Sequence, residues 1–104
     1  MTSLANESAI IGNGIGLNAI GYQQITSLAA ATGLTIPDGT KMALIIVEDQ
    51  NVRYRDDGTN PTTSVGMPLA AGASIRYTSI TSMNALKFIE TAVGAKLNIS
   101  YYGY

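Results

Sequence analysis

The chain contains neither cysteine nor histidine. Without cysteine, these residues can form no disulfide and no thiolate metal site. Without histidine, they lack the commonest general base, the commonest metal ligand and the usual catalytic triads. We therefore expect no enzyme activity, no catalytic residue, no metal and no cofactor.

Charged side chains are also scarce, at 12 % of the 104 residues, which is about half of the usual share. Hydrophobic residues make up 46 %, enough for a thin two-layer core in one domain. The low charge indicates either a surface that faces another protein or a surface rich in Ser, Thr, Asn and Gly. The net charge of −1 lacks the basic surplus of nucleic-acid-binding proteins, so we expect no nucleic-acid partner.

No apolar run approaches the roughly 18 residues of a membrane span. The apolar segment near the start follows Glu7 rather than the basic residues of a signal peptide. We therefore expect that the protein is synthesised in a cytoplasm and does not associate with a membrane.

Residues 1–20 differ from the remainder because glycines interrupt their apolar residues, which disfavours a helix. We predict an extended N-terminal arm that binds a partner surface, and a disordered terminus is the alternative. The candidate contact residues of this arm are Ile10, Ile11, Ile15, Leu17 and Ile20.

Residues 21–104 alternate short apolar stretches with turn signals, which predicts a single all-β domain. About eight short antiparallel strands are expected, near residues 22–28, 34–36, 42–47, 52–55, 65–69, 74–78, 86–90 and 95–102. The run at 42–47 is typical of a strand buried on both faces. Pro68 excludes a central strand and places residues 65–69 at a sheet edge or at the start of a strand, and the last two strands are expected to pair. The pattern favours a jelly-roll-like β-sandwich.

The charged strand at residues 52–55 leads into an Asp57-Gly58 turn. Arg53 and Arg55 share one side of that strand, and Arg76 lies on another alternating strand. These three arginines are a possible ligand face for a saccharide or oligonucleotide. The alternative is a solvated face whose arginines pair with acidic residues across strands.

The acidic residues suggest two further sites. Residues 56–60 offer oxygen ligands for calcium, but a hydrogen-bonded Asx turn explains them better. Glu48 and Asp49 are adjacent, so on a strand they point to opposite faces and do not form a catalytic pair.

The chain ends in a tyrosine-rich segment, YYGY. We expect one of these rings to pack in the core, and Tyr102 and Tyr104 to anchor a partner.

Four segments of the chain resemble a family of small virion proteins of tailed bacteriophages. They are residues 52–62 (VRYRDDGTNPT), 66–72 (GMPLAAG), 86–89 (LKFI) and 95–102 (AKLNISYY). The likeness covers about residues 22–102 and leaves residues 1–20 outside it.

The resemblance implies a non-enzymatic β-sandwich subunit of the virion, made in the bacterial host cytoplasm. Its expected partners are the major capsid protein or other virion proteins. A capsid decoration (cement) protein is the first expectation; a neck or tail component, or a host-glycan-binding module, is the alternative. Closed symmetry favours a homo-oligomer, a dimer or a trimer.

Overall fold

The structure, a computed structural model, describes residues 16–104. This part contains seven strands and one short helix. In chain order they are β1 (Asn18–Ile25), β2 (Thr40–Glu48), β3 (Val52–Arg55), β4 (Met67–Leu69), β5 (Ser74–Tyr77), α1 (Ile80–Ala85), β6 (Lys87–Glu90) and β7 (Lys96–Gly103).

The strands form two antiparallel sheets that enclose one core. The four-stranded sheet has the order β1-β7-β2-β5, and the three-stranded sheet has the order β4-β3-β6. The predicted all-β, sandwich-like class is confirmed. The described residues contain seven strands rather than about eight, because residues 34–36 form a connection and not a strand.

The core lies between the sheets because alternate side chains of each central strand point inward. In β7, Leu97, Ile99 and Tyr101 are buried while their neighbours are partly exposed. Phe88 enters from the other sheet and packs against Tyr54, with the ring centroids 5.7 Å apart. Because Tyr101 is among the buried residues, the expectation that one C-terminal tyrosine packs in the core is confirmed.

Helix α1 closes one end of this core with a single buried face. Its N-cap is Ser79, whose side chain accepts a hydrogen bond from the Ser82 amide at 3.3 Å, satisfying a donor that the helix start leaves free. Met83 is buried on the helix and Leu86 directly after it.

Two expectations about the strands were wrong. The run at 42–47 is fully buried on one face only: Ala43, Ile45 and Val47 face the core, whereas on the other face Met42 is buried, Leu44 is half-buried and Ile46 is 41 % exposed. The last two strands do not pair, because β6 joins β3 and β7 lies between β1 and β2. The link at residues 91–95 therefore crosses from one sheet to the other.

The predicted boundary between arm and domain also shifts. Asn18, Ala19 and Ile20 belong to β1, and Asn18 and Ala19 pair with Gly103 and Tyr102 at the end of β7, so the strand begins inside the predicted arm of residues 1–20.

Candidate interaction surface

The outer face of the four-stranded sheet presents a set of side chains in rows across the strands. Register places Tyr22 opposite Ser100, Ser100 opposite Leu44, and Leu44 opposite Arg76. The next row contains Gln24, Asn98, Ile46 and Ser74. Because alternate residues of each strand share a face, these side chains point away from the core.

Three of these outer side chains, together with Tyr102 two residues after Ser100 on β7, are apolar or aromatic and lie around Ser100. We call them the outer-face patch: Tyr22, Leu44, Ile46 and Tyr102. Tyr22 is 65 % exposed and Ile46 is 41 % exposed, while Leu44 and Tyr102 are half-buried. An exposed apolar cluster on a sheet is typical of a surface that contacts another protein.

A polar network across three strands borders this patch and is centred on Asn98. The Tyr22 hydroxyl and the Gln24 amide both donate to Asn98 Oδ1, at 2.6 and 3.0 Å. Asn98 in turn donates from Nδ2 to Glu48 Oε1 at 2.8 Å. The network fixes the Tyr22 ring on the sheet, so little side-chain freedom remains to be lost when a partner binds.

An ion pair closes the polar end of the face. Lys96 Nζ lies 2.7 Å from Asp49 Oδ2, and this hydrogen bond raises the pKa of Lys96. Asp49 adopts φ of 75° in the turn after β2, a conformation that Asp tolerates better than most residues. Glu48 and Asp49 therefore hold neighbouring side chains in place rather than share a cleft.

The turn between β3 and β4 is held by the arginines that the sequence marked as a ligand face. Arg53 donates to the Gly66 carbonyl at 2.8 Å and to the Thr63 carbonyl at 3.3 Å. Arg55 Nε donates to Asp57 Oδ1 at 3.1 Å. This hydrogen bond, together with the amide of Thr59, lowers the pKa of Asp57. The predicted Asx turn is confirmed by that Thr59 N–H, which Asp57 Oδ1 accepts at 3.1 Å.

The three arginines do not form the common face that the sequence suggested. Arg53 and Arg55 lie in the three-stranded sheet, whereas Arg76 lies on β5 of the four-stranded sheet. Strand alternation could not show this separation, because it does not reveal which sheet a strand joins.

The predicted partner residues fall in several places. Leu17 is half-buried just before β1, and Ile20 sits at an irregularity in the β1 register between Ala19 and Gly21. Tyr102 lies on the outer face, and Tyr104 is 80 % exposed. Ile10, Ile11 and Ile15 lie outside the described residues.

Two open pockets lie away from the outer-face patch. One, of about 520 Å³, is lined by residues 36–41 together with Thr78, Ile80 and Asn84. The other, of about 340 Å³, lies beside Arg55, Asp57 and Met67. Beside this second pocket, Asp56 Oδ2 accepts a hydrogen bond from Tyr77 at 2.7 Å; burial, followed by this bond, raises the pKa of Tyr77.

The sequence reasoning did not select Tyr22, Leu44, Ile46 and Asn98 as candidate contact residues. The signal for Tyr22 was its position in an alternating polar segment. Leu44 and Ile46 gave no such signal, because they sit in a continuous apolar run that fits a two-sided buried strand equally well.

No protein-family model, curated protein or solved structure matches the chain. Among residues 16–104, no helix has the length and apolar character needed to cross a membrane.

Proposed function

We propose that the chain is a non-enzymatic structural protein of a tailed-bacteriophage virion, and that it binds the major capsid protein as a decoration (cement) protein. The observation that carries the docking role is the outer-face patch. The link to a virion comes from the resemblance over about residues 22–102, a range that includes all four patch residues.

The patch suits binding to a large, rigid partner because its own scaffold is rigid. Leu44 and Ile46 stand on β2, which pairs with strands on both sides, and Tyr22 is fixed by Asn98. A few residues at the buried centre of an interface, tyrosines prominent among them, typically cost about 2 kcal/mol or more of binding free energy when they are truncated.

Residues 1–15 supply a second contact in this proposal, through the apolar side chains Ile10, Ile11 and Ile15. Deleting residues 1–20 would remove the start of β1 and confuse loss of the arm with damage to the sheet. A deletion that ends at residue 15 tests the arm alone, and we expect it to weaken particle binding.

The docking experiment uses Ile46→Asp, which places a charge in the patch. The matched control is Val93→Asp, because Val93 is 88 % exposed in the link between β6 and β7. Binding is measured by co-sedimentation with phage particles assembled without this protein. We expect Ile46→Asp to weaken binding at least about 30-fold, equivalent to about 2 kcal/mol, and Val93→Asp to bind normally.

Equal binding by the two variants would contradict the patch as the docking surface. Copy number distinguishes the alternative location. A copy number per particle comparable with that of the major capsid protein indicates decoration, whereas the few copies that would form a single ring indicate a neck or tail component.

A further inference from the structure

Strand β1 leaves one edge of the four-stranded sheet open. It is eight residues long, and within residues 16–104 no backbone hydrogen bond reaches it from the side opposite β7. Its sequence, NAIGYQQI, contains no charge and no proline. Natural sheet edges are normally blunted by lysine, proline, short length, a bulge or a covering segment. Among residues 16–104, the irregularity at Ala19–Gly21 is the only such feature of β1 itself, and it leaves the register from Gly21 to Ile25 regular. The connection after β1 reaches this strand through the Gln23 side chain, whose Oε1 accepts a hydrogen bond from the Thr35 amide at 3.1 Å, and not through the strand backbone.

The other described edges are each protected. The edge of β6 is covered by the chain after β1: Thr32 and Phe88 exchange hydrogen bonds of 2.8 and 2.9 Å, and the Glu90 amide donates to the Leu28 carbonyl at 2.9 Å. Strand β4 has three residues with Pro68 in the middle, and β5 has four residues that include Arg76. Within the described residues, β1 therefore finds no complementary edge for head-to-tail pairing, and its best match is itself.

We propose that β1 pairs antiparallel with β1 of a second copy across a two-fold axis, joining two four-stranded sheets into one continuous sheet. Symmetry brings each central residue close to its own copy, so any charge near the axis would meet a like charge. A strand without charged residues avoids that repulsion. This interface does not depend on the virion role.

The position of the axis follows from the length of the regular segment. A pairing that uses all of residues 21–25 places the axis at Gln23, and a pairing displaced by one residue toward the start of β1 places it at Tyr22. Tyr22 then lies opposite its symmetry mate or on the adjacent diagonal, about 5–8 Å away. Both copies of the outer-face patch point the same way, so the dimer presents a doubled surface.

The test uses charge reversal in the full chain. Tyr22→Lys and Tyr22→Glu each place two like charges near the axis, whereas an equal mixture of the two variants places opposite charges there. Val93→Lys and Val93→Glu are the matched controls. Mass is measured by light scattering or sedimentation at concentrations up to about 1 mM.

We expect the unmodified chain and both controls to reach twice the 10.9 kDa mass of one chain. Each Tyr22 variant alone should stay at one chain mass, and the mixture should recover the doubled mass. Hydrogen exchange should show β1 amides that become protected as concentration rises in the unmodified chain.

Three results would overturn the proposal. The first is that the unmodified chain stays monomeric at every concentration. This holds even if a chain lacking residues 1–15 associates, because the N-terminal segment would then be the occupant of the edge. The second is a dimer that tolerates both Tyr22 charges. The third is a mixture of the two variants that remains monomeric. Ile46→Asp lies two strands away from this edge, so a capsid-docking failure and a dimerisation failure remain distinguishable.

Discussion

A methyl group added at Gly103 should disrupt the end of the four-stranded sheet. Gly103 pairs with Asn18 on one side and with Thr40 on the other. A Cβ there would overlap the carbonyl oxygen of Gly39, lie 3.3 Å from its carbonyl carbon and lie 3.0 Å from Ile20 Cδ1. The clash involves backbone, so it cannot be relieved by turning a side chain.

The expected cost of Gly103→Ala follows from that geometry. Overpacking against well-ordered neighbours costs about 1–3 kcal/mol. Since Gly39 must move or β7 must part from β2 at Thr40, we expect about 2 kcal/mol. At about 4–8 °C per kcal/mol for a domain of this size, the melting temperature should fall by about 8–16 °C.

Gly33→Ala is the matched control, because it makes the same chemical change where space exists. Neither glycine has positive φ, and a Cβ at Gly33 meets its nearest atoms at 3.4 Å. Lower entropy of the unfolded chain should make this variant about 0.4–1 kcal/mol more stable. Urea unfolding of both variants tests the reasoning, which is refuted if Gly103→Ala is as stable as the unmodified chain or as Gly33→Ala.

Three further predictions concern stability. Met83→Ala should lower the free energy of unfolding in denaturant by about 2–5 kcal/mol, because Met83 is fully buried. Thr81→Ala, at an exposed position of the same helix, should change that free energy by less than about 0.5 kcal/mol. Similar losses for the two variants would contradict the observed burial of Met83. Burial raises the pKa of Tyr101 to about 12, above its unfolded value of about 10, so the stability linked to its neutral form is present below pH 10 and lost between about pH 10 and 12. Tyr101→Phe should flatten that alkaline loss, and an unchanged pH profile would refute it. Because Arg55 lowers the pKa of Asp57, the stability gained from the Asp57 carboxylate is present above about pH 4. It is lost as the pH falls through the pKa that Asp57 has in the folded chain. A double-mutant cycle of Asp57→Asn and Arg55→Gln should show a coupling energy at pH 7 that disappears in acid, and a coupling that persists in acid would contradict this account.

The parts of the fold that sequence predicted well have a strong local cause. Strand β3 was predicted at its observed limits, since its alternation ends at the Asp57-Gly58 turn, and Gly58 adopts the positive φ of 83° that such a turn uses. The edge position of the Pro68 strand was confirmed, because a missing amide excludes a central position.

The parts that were missed depend on contacts between distant segments. The separation of β6 from β7 reflects the packing of Phe88 on Tyr54 and the pairing of β7 with both β1 and β2. A four- or five-residue link suits a hairpin and a crossover equally well. The exposed side of β2 was also missed, because a continuous apolar run does not show whether a second layer covers it; within residues 16–104, no second strand layer covers Ile46.

The functional surface shows a similar division. Tyr102 was expected to contact a partner from its position near the chain end, and it lies on the outer face. Tyr22 and Leu44, which lie opposite Ser100 and diagonal to Tyr102, are 80 and 58 positions away from Tyr102 in the sequence, and only the strand register brings them together. The arginine face failed because its members lie in different sheets.

The central proposal, that this chain is a component of a virion, is tested most directly by quantitative mass spectrometry of intact particles of the phage that we propose encodes it. The account predicts that the protein remains in density-purified particles at a fixed ratio to the major capsid protein. Its absence from particles, or a ratio that falls with each round of purification, would contradict the account.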